Sequence, residues 1–342
     1  MYYRAMSIFA IFVILVIINL RVAYAENQIV NVYTYREPKL IIPLFERFTS
    51  QTGILVNVIY AKDGLEQRIK AEGKNSPADL LISVDVARLI EAVQLGIVQP
   101  YQSETLEKRI PSHLRDPDGN WYALSSRARV VYIDRRMTDI KDLTYEDLAS
   151  PRFKGKICIR SGYHIYNNAL FAAAIYHMGE KRAEEWIHGL KLNLAKKPSG
   201  GDRDVAKDIA AGQCQVGLGN SYYVGQMQAN PDTKAWADAI RIVMPKFANG
   251  VTHINISGAA IAAFAPNRSN AIMLLEWLTD IEAQSIYASI NFEYPVTENI
   301  TINTIVANWG NLVKDTMPLL KIAELRKKAA EIVDRVAFDE GP

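Results

Sequence analysis

The chain has 342 residues, 49% of them hydrophobic and 22% charged, with 39 Lys+Arg against 37 Asp+Glu. That is a globular composition with room for about two domains, and it excludes disorder, collagen and coiled coil. Arg4 and Arg21 lie in an N-terminal leader, and without them the balance is 37 against 37, so the basic excess that nucleic-acid binding needs is missing.

Residues 1–25 (MYYRAMSIFAIFVILVIINLRVAYA) carry an early Arg4, an apolar run from Ile8 to Leu20, and Ala23-Tyr24-Ala25 as a small-x-small cleavage site. This is the layout of a secretory signal peptide. The apolar run is shorter than the ~20 residues that span a bilayer, and Arg21 interrupts it. No later stretch reaches 18 uninterrupted apolar residues. The mature chain is therefore expected to be a soluble monomer.

After the leader, Ile29–Tyr35 reads as a strand, and Leu40, Ile41, Leu44, Phe45 and Phe48 follow at helical spacing behind Pro38. The spacing then predicts a strand at Ile54–Tyr60, a helix over Gly64–Glu72, a strand at Leu80–Val84 and a helix over Ala87–Leu95 ended by Gly96. Alternation of this kind implies a parallel sheet covered on both faces. It resumes after Asp142, with a strand at Phe153–Arg160, helices at Ile165–Met178, Glu180–Leu190 and Asp202–Ala211, and a strand at Cys214–Gly219. Trp121–Tyr132 leads from one α/β unit to the other. Ala239–Pro245 and Ile254–Phe264 are again extended, and Ala271–Ile290 and Thr304–Asp339 are helical. A chain that leaves one lobe, builds a second and crosses back needs two crossing strands, which form a hinge beneath a cleft.

Two cysteines, Cys158 and Cys214, each sit in a strand-like stretch. In an exported protein they are expected to form one disulfide rather than a zinc site, provided the two strands are neighbours. Phosphate-loop, dinucleotide and nucleophile-elbow patterns are absent. The five histidines form no H-x-x-x-H, with His164 and His177 expected at the surface or in helix packing. Asp202 and Asp204 open a helix, where a solvated cap is the expected role.

Tyrosine carries the remaining signal. Tyr222 and Tyr223 adjoin just past a strand end, Tyr163 and Tyr166 follow another, and Tyr33 and Tyr35 end the first strand. Ligands of parallel α/β sheets bind at such ends. Any one of these tyrosines could be an ordinary amphipathic rim residue. An adjacent pair after Gly219-Asn-Ser is better explained if an irregular backbone aims both phenols at one point. Phenolate is a hard ligand whose proton only a strong Lewis acid displaces, and Fe³⁺ fits. Arg36, Arg127 and Arg129 could hold a small anion beside it. A surface ion pair is the ordinary role for either Arg127 or Arg129; strand alternation puts both on one face, but their different positions along it leave only one expected to reach the ligand.

The combination of Val32-Tyr-Thr-Tyr-Arg36, Pro77-Ala-Asp-Leu80, Trp121–Arg129, Gly200-Gly-Asp-Arg203 and Gly219-Asn-Ser-Tyr-Tyr223 resembles the ferric-ion-binding periplasmic proteins of ABC transporters. The resemblance spans residues 28–335. It implies an α/β, two-lobed, type II periplasmic-binding-protein fold. Each lobe would be a mainly parallel sheet flanked by helices, with residues 26–125 and 252–342 forming the first lobe and 126–251 the second. It further implies Tyr166, Tyr222 and Tyr223 as iron ligands, Arg127 on a synergistic carbonate or bicarbonate, and Arg36 assisting the anion. Many members add a His or Tyr from the first lobe. Here that stretch reads Tyr33-Thr-Tyr-Arg-Glu-Pro38 without His, leaving Tyr33, Tyr35 and Glu37 as the candidates to complete the coordination.

The expected role is periplasmic delivery of Fe³⁺ to an inner-membrane permease and its ATPase, with no catalysis. The rivals are a carrier of the same fold for an organic solute, such as a polyamine or phosphorylated vitamin, and an exported hydrolase. The hydrolase lacks any nucleophile–base pair or carboxylate couple.

Overall fold

The computed structural model describes residues 28–342, so the leader expected at 1–25 lies outside the described residues. The first unit alternates β1 (Ile29–Thr34), α1 (Pro38–Thr52), β2 (Leu55–Tyr60), α2 (Leu65–Glu72), β3 (Leu80–Ser83), α3 (Val86–Gln94), β4 (Val98–Gln99) and α4 (Glu104–Arg109). The long β5 (Tyr122–Asp134) leads to β6 (Ile157–Cys158), α5 (Ile165–Met178), α6 (Glu180–Leu192), α7 (Asp202–Ala210), β7 (Val216–Asn220), α8 (Ser221–Ala229), α9 (Pro231–Asp238) and β8 (Ile240–Val243). The chain returns through β9 (Ile254–Ala262) and finishes with α10 (Arg268–Trp277), α11 (Ile281–Ile290), β10 (Tyr294–Pro295), α12 (Thr304–Ala307) and α13 (Leu319–Arg335). Among the described residues no helix is long and apolar enough to cross a membrane.

Helix α1 shows how the sequence sets these elements. Pro38 opens it, where the missing N–H costs nothing, and Gly53 closes it at φ 75° with its N–H on the Thr49 carbonyl. Its apolar stripe of Leu40, Ile41, Leu44, Phe45 and Phe48 is buried.

β1 pairs in parallel with both β2 and β3, and β6 pairs in parallel with β7, as the α/β alternation implies. The crossing strands run antiparallel to their neighbours, because each arrives from the opposite lobe. β9 lies between β3 and β5. β5 belongs to both sheets: Tyr122–Ala128 pairs with β9, whereas Arg129–Asp134 pairs with β7 on one side and β8 on the other. All thirteen residues of β5 are buried, Arg127 and Arg129 included. A strand buried along its whole length places its polar side chains where they must find partners or a ligand.

The C-terminal helix differs from the expectation that residues 252–342 stay with the first lobe. α13 packs chiefly along α5 of the second unit and also touches α3 of the first. Its buried stripe, including Ile322, Ala329, Ile332 and Val333, needs an apolar partner, and α5 is apolar nearly all round. Residues 308–318 between α12 and α13 are not helical, and Pro318 caps the new start.

Candidate metal and anion site

Between the lobes lies a cavity of about 530 Å³ lined by Tyr166, Tyr222 and Tyr223 from the second lobe and by Tyr35, Arg36, Glu37, Tyr60 and Val84 from the first. Lys62, Asp63, Arg88, Arg160, Tyr163 and His164 also line it. Its basic side chains outnumber its acidic ones.

The tyrosine pair reaches the cavity through a strand-to-helix junction. β7 ends at Gly219-Asn220, and Gly219 lies so close to Tyr132 that a Cβ there would come within 2.2 Å of the ring. The Tyr132 hydroxyl donates to the Asn220 carbonyl at 2.6 Å, fixing the end of the strand. Tyr222 and Tyr223 then fall in the first turn of α8, a regular helix rather than the irregular backbone expected from sequence. Their rings tilt by 31° with centroids 4.2 Å apart. Tyr166 occupies the first turn of α5, where His164 is the N-cap and accepts the Tyr166 N–H on Nδ1 at 3.2 Å.

The Tyr222 and Tyr223 phenols hold their protons firmly. Burial pushes the Tyr222 hydroxyl well above 10, and Tyr166 and Tyr223 push the same way, with Arg127 opposing. Burial does the same to Tyr223, with Tyr166 and Asp202 adding and Arg160 opposing. Two adjacent phenols that resist ionisation, sharing one cavity with Tyr166, suit a strongly Lewis-acidic cation able to displace their protons. His164 is pushed down to about 3, chiefly by burial and by Arg160, so it stays neutral in its capping role.

The two arginines of β5 have separate tasks. Arg129 Nη1 donates to Asp202 at 2.6 Å and to Asn220 Oδ1 at 3.1 Å, and its Nη2 donates to Asn167 Oδ1 at 2.5 Å. Asp202 is wholly buried. It also accepts from Arg160 at 3.2 Å and from the Asn220 N–H at 2.8 Å, so a buried ion pair replaces the solvated cap expected there. Burial alone would raise its pKa, yet Arg129 and Arg160 hold it below the usual carboxylate value. Asp204 does cap locally, accepting the Gly201 N–H at 2.8 Å. Arg127 has no carboxylate partner among the described residues. Its Nη2 donates to the Val84 carbonyl, and its buried Nη1 has no hydrogen-bond partner.

The first-lobe candidates are engaged elsewhere. Tyr33 is buried with its hydroxyl on Glu72 at 3.0 Å, outside the cavity lining. Tyr35 lines the cavity, but its hydroxyl donates to Glu66 and accepts the Leu65 N–H at 2.7 Å. Arg36 spends its terminal nitrogens on buried Glu293 and on Ser257 Oγ at 2.6 Å, leaving only Nε without a partner. Glu37 remains half-exposed at the rim, 3.8 Å from Arg203 of the opposite lobe. Cys158 and Cys214 are joined by a disulfide between β6 and the approach to β7.

Sequence reasoning missed Asp202, Asn167, Glu293 and the Val84 carbonyl. In the sequence Asp202 stands out only as a helix-opening residue and as a member of Gly200-Gly-Asp-Arg203. Its role needs β5 and α7 brought together.

The bacterial extracellular solute-binding protein family matches residues 75–309. Iron uptake protein A1 of Synechocystis sp. is 38% identical over 317 residues, 92% of this chain and 88% of that protein. Among solved structures, a Bordetella ferric binding protein is 52% identical, covering 91% of this chain and 99% of its own with a TM-score of 0.85. A Trichodesmium protein in complex with iron and citrate is 39% identical over the same shares with a TM-score of 0.86. The family match covers more than half of the chain, and these relatives span nearly all of it. The protein belongs to the bacterial extracellular solute-binding protein family and has the two-lobed type II periplasmic-binding-protein fold.

Proposed function

We propose that the protein is a periplasmic ferric-ion carrier that delivers Fe³⁺ to an ABC permease and performs no chemistry on its cargo. One observation carries the reading: three phenols, Tyr166, Tyr222 and Tyr223, line a single cleft between the lobes. The names of its relatives as iron uptake and ferric binding proteins support it. The tyrosines would take the iron as phenolates, and lobe closure about β5 and β9 would shield it from water. Among the described residues there is no cluster of three or more His, Cys, Asp or Glu side chains to hold a metal.

Arg127 fits a synergistic anion, since among the described residues its buried Nη1 lacks a partner and its charge lacks a carboxylate. Carbonate or bicarbonate is the anion proposed, held by the fork of the guanidinium. The secretory leader read at 1–25 supports export, and the family supports a partner permease.

The test is a visible absorption titration of the iron-free protein with ferric citrate in bicarbonate buffer. A saturable phenolate-to-iron band at one equivalent, lost in Tyr222→Phe, is expected. A folded protein with no such band would overturn the reading and favour an organic solute.

A further inference from the structure

The turn that presents Tyr166 is held from the far end of the chain. Gly162 donates its N–H to Asp339 Oδ1 at 2.7 Å, and Ser161 donates its hydroxyl to Asp339 Oδ2. The Ser161 hydroxyl in turn accepts the Tyr163 N–H at 3.2 Å, and the Ser161 carbonyl accepts the His164 N–H at 3.2 Å. Thus Asp339 grips the hub of the turn, and His164 caps the helix in which Tyr166 sits.

Packing agrees with the hydrogen bonds. Phe338 is fully buried against Phe171 of α5, at 5.5 Å between ring centroids. Gly162 lies directly on this platform: a Cβ there would come within 2.9 Å of the Phe338 ring and 3.1 Å of Val333. One helical turn before Phe338, Asp334 accepts from the Tyr163 hydroxyl. Farther back on α13, Arg326 donates to Asn168 of α5 at 3.0 Å and lies 3.6 Å from Asp85, the N-cap of α3 in the first lobe.

We propose that the C-terminal segment Val333–Asp339 is the positioning element of the Tyr166 phenol, with Asp339 as its principal contact. The inference rests on the reading of Tyr166 as an iron ligand. A phenol at the start of a helix moves with the turn before it, and a displacement of an ångström misplaces one of three donors.

The experiment measures iron affinity by competition with citrate, the phenolate-to-iron band, and thermal midpoint without iron, in wild type, Asp339→Ala, Asp339→Asn and Gly162→Ala. Asp339→Ala is expected to weaken iron about tenfold, the scale of a lost charge-assisted hydrogen bond, and to shift the band maximum. Asp339→Asn, which keeps an acceptor for the Gly162 N–H, should restore most of both. Gly162→Ala, which lifts the turn off Phe338, should shift the band even if Asp339→Ala fails to fold. An unchanged band in the folded variants, whether or not their thermal midpoints fall, overturns the positioning role. A wild-type band that Tyr166→Phe leaves unaltered overturns the ligand reading instead, so the two failures are distinguishable.

Discussion

Arg127, which lies beside Tyr166 but outside the cavity lining, donates to the main-chain carbonyl of Val84, and its other terminal nitrogen is buried without a partner among the described residues. Val84 follows β3 of the first lobe, whereas Arg127 lies on the crossing strand β5, so the bond ties the hinge to the cavity wall. A buried guanidinium with one unfilled donor and no carboxylate calls for an anion. Arg127→Lys should lower iron affinity about tenfold in bicarbonate, because it keeps the charge and loses the fork. Arg127→Ala should lower it further and remove the dependence on bicarbonate. Competition titrations at two bicarbonate concentrations decide the matter, and equal dependence in wild type and Arg127→Ala would exclude the role.

Iron loading should release protons and weaken in acid. Burial keeps the Tyr222 and Tyr223 hydroxyls protonated in the iron-free protein, and each phenolate formed sheds one proton. Release of about two protons or more per iron is expected in weakly buffered solution at neutral pH. Tyr222→Phe should release about one fewer at the same iron occupancy.

Asp202 compensates Arg129 and Arg160 and also holds the Asn220 N–H at the entry to α8. Asp202→Asn leaves two guanidinium groups facing each other without a counter-charge. The loss should be about 3 kcal/mol in urea denaturation of the iron-free protein. Iron affinity should also fall, since α8 carries Tyr222 and Tyr223.

His253, on the return into β9, is 2% exposed, and burial pushes its imidazole down to about 4. Asp315 opposes that shift, while Arg129, His177 and Arg127 reinforce it. The unfolded chain takes up this proton near the ordinary value of about 6.5, and the folded chain does not. Stability from this group is therefore whole above that value and declines as pH falls towards about 4, by about 3 kcal/mol in total. His253→Asn should flatten that part of the profile of urea midpoints against pH.

The disulfide between Cys158 and Cys214 closes a loop with a sequence separation of 56. On chain entropy, replacing both cysteines with serine should lower stability by about 4 kcal/mol. The band of the iron complex should be unchanged, since neither cysteine lines the cavity. A shifted band would mean that the bridge shapes the site as well as stabilising the fold.

What the sequence alone determined is local. Helical spacing marked Ile165–Met178, which forms with those limits, and β-rich runs marked β1, β2, β3 and β9 to within a residue or two, because apolar periodicity reports which face a segment buries. The same reading passed over α8 and α9. The first is short and buried on most sides, without a polar stripe to reveal its period, and the second has a single buried residue, Ala237. The tyrosine motif pointed to the cleft, but not to the partners of its neighbours. Arg127 and Arg129 share one face of a strand in sequence, yet one meets Asp202 from α7 and the other the Val84 carbonyl from the opposite lobe. Tyr33 and Tyr35 looked alike until Glu72 and Glu66 were seen to accept from their hydroxyls. Tyr166 proved to stand on a turn gripped by Asp339, 178 residues from Ser161. Pattern fixes what a residue can offer, but only the packed chain fixes which buried donor finds an acceptor and which is left for a ligand. A hydrogen bond depends on proximity in space, and separation along the sequence carries almost no record of that.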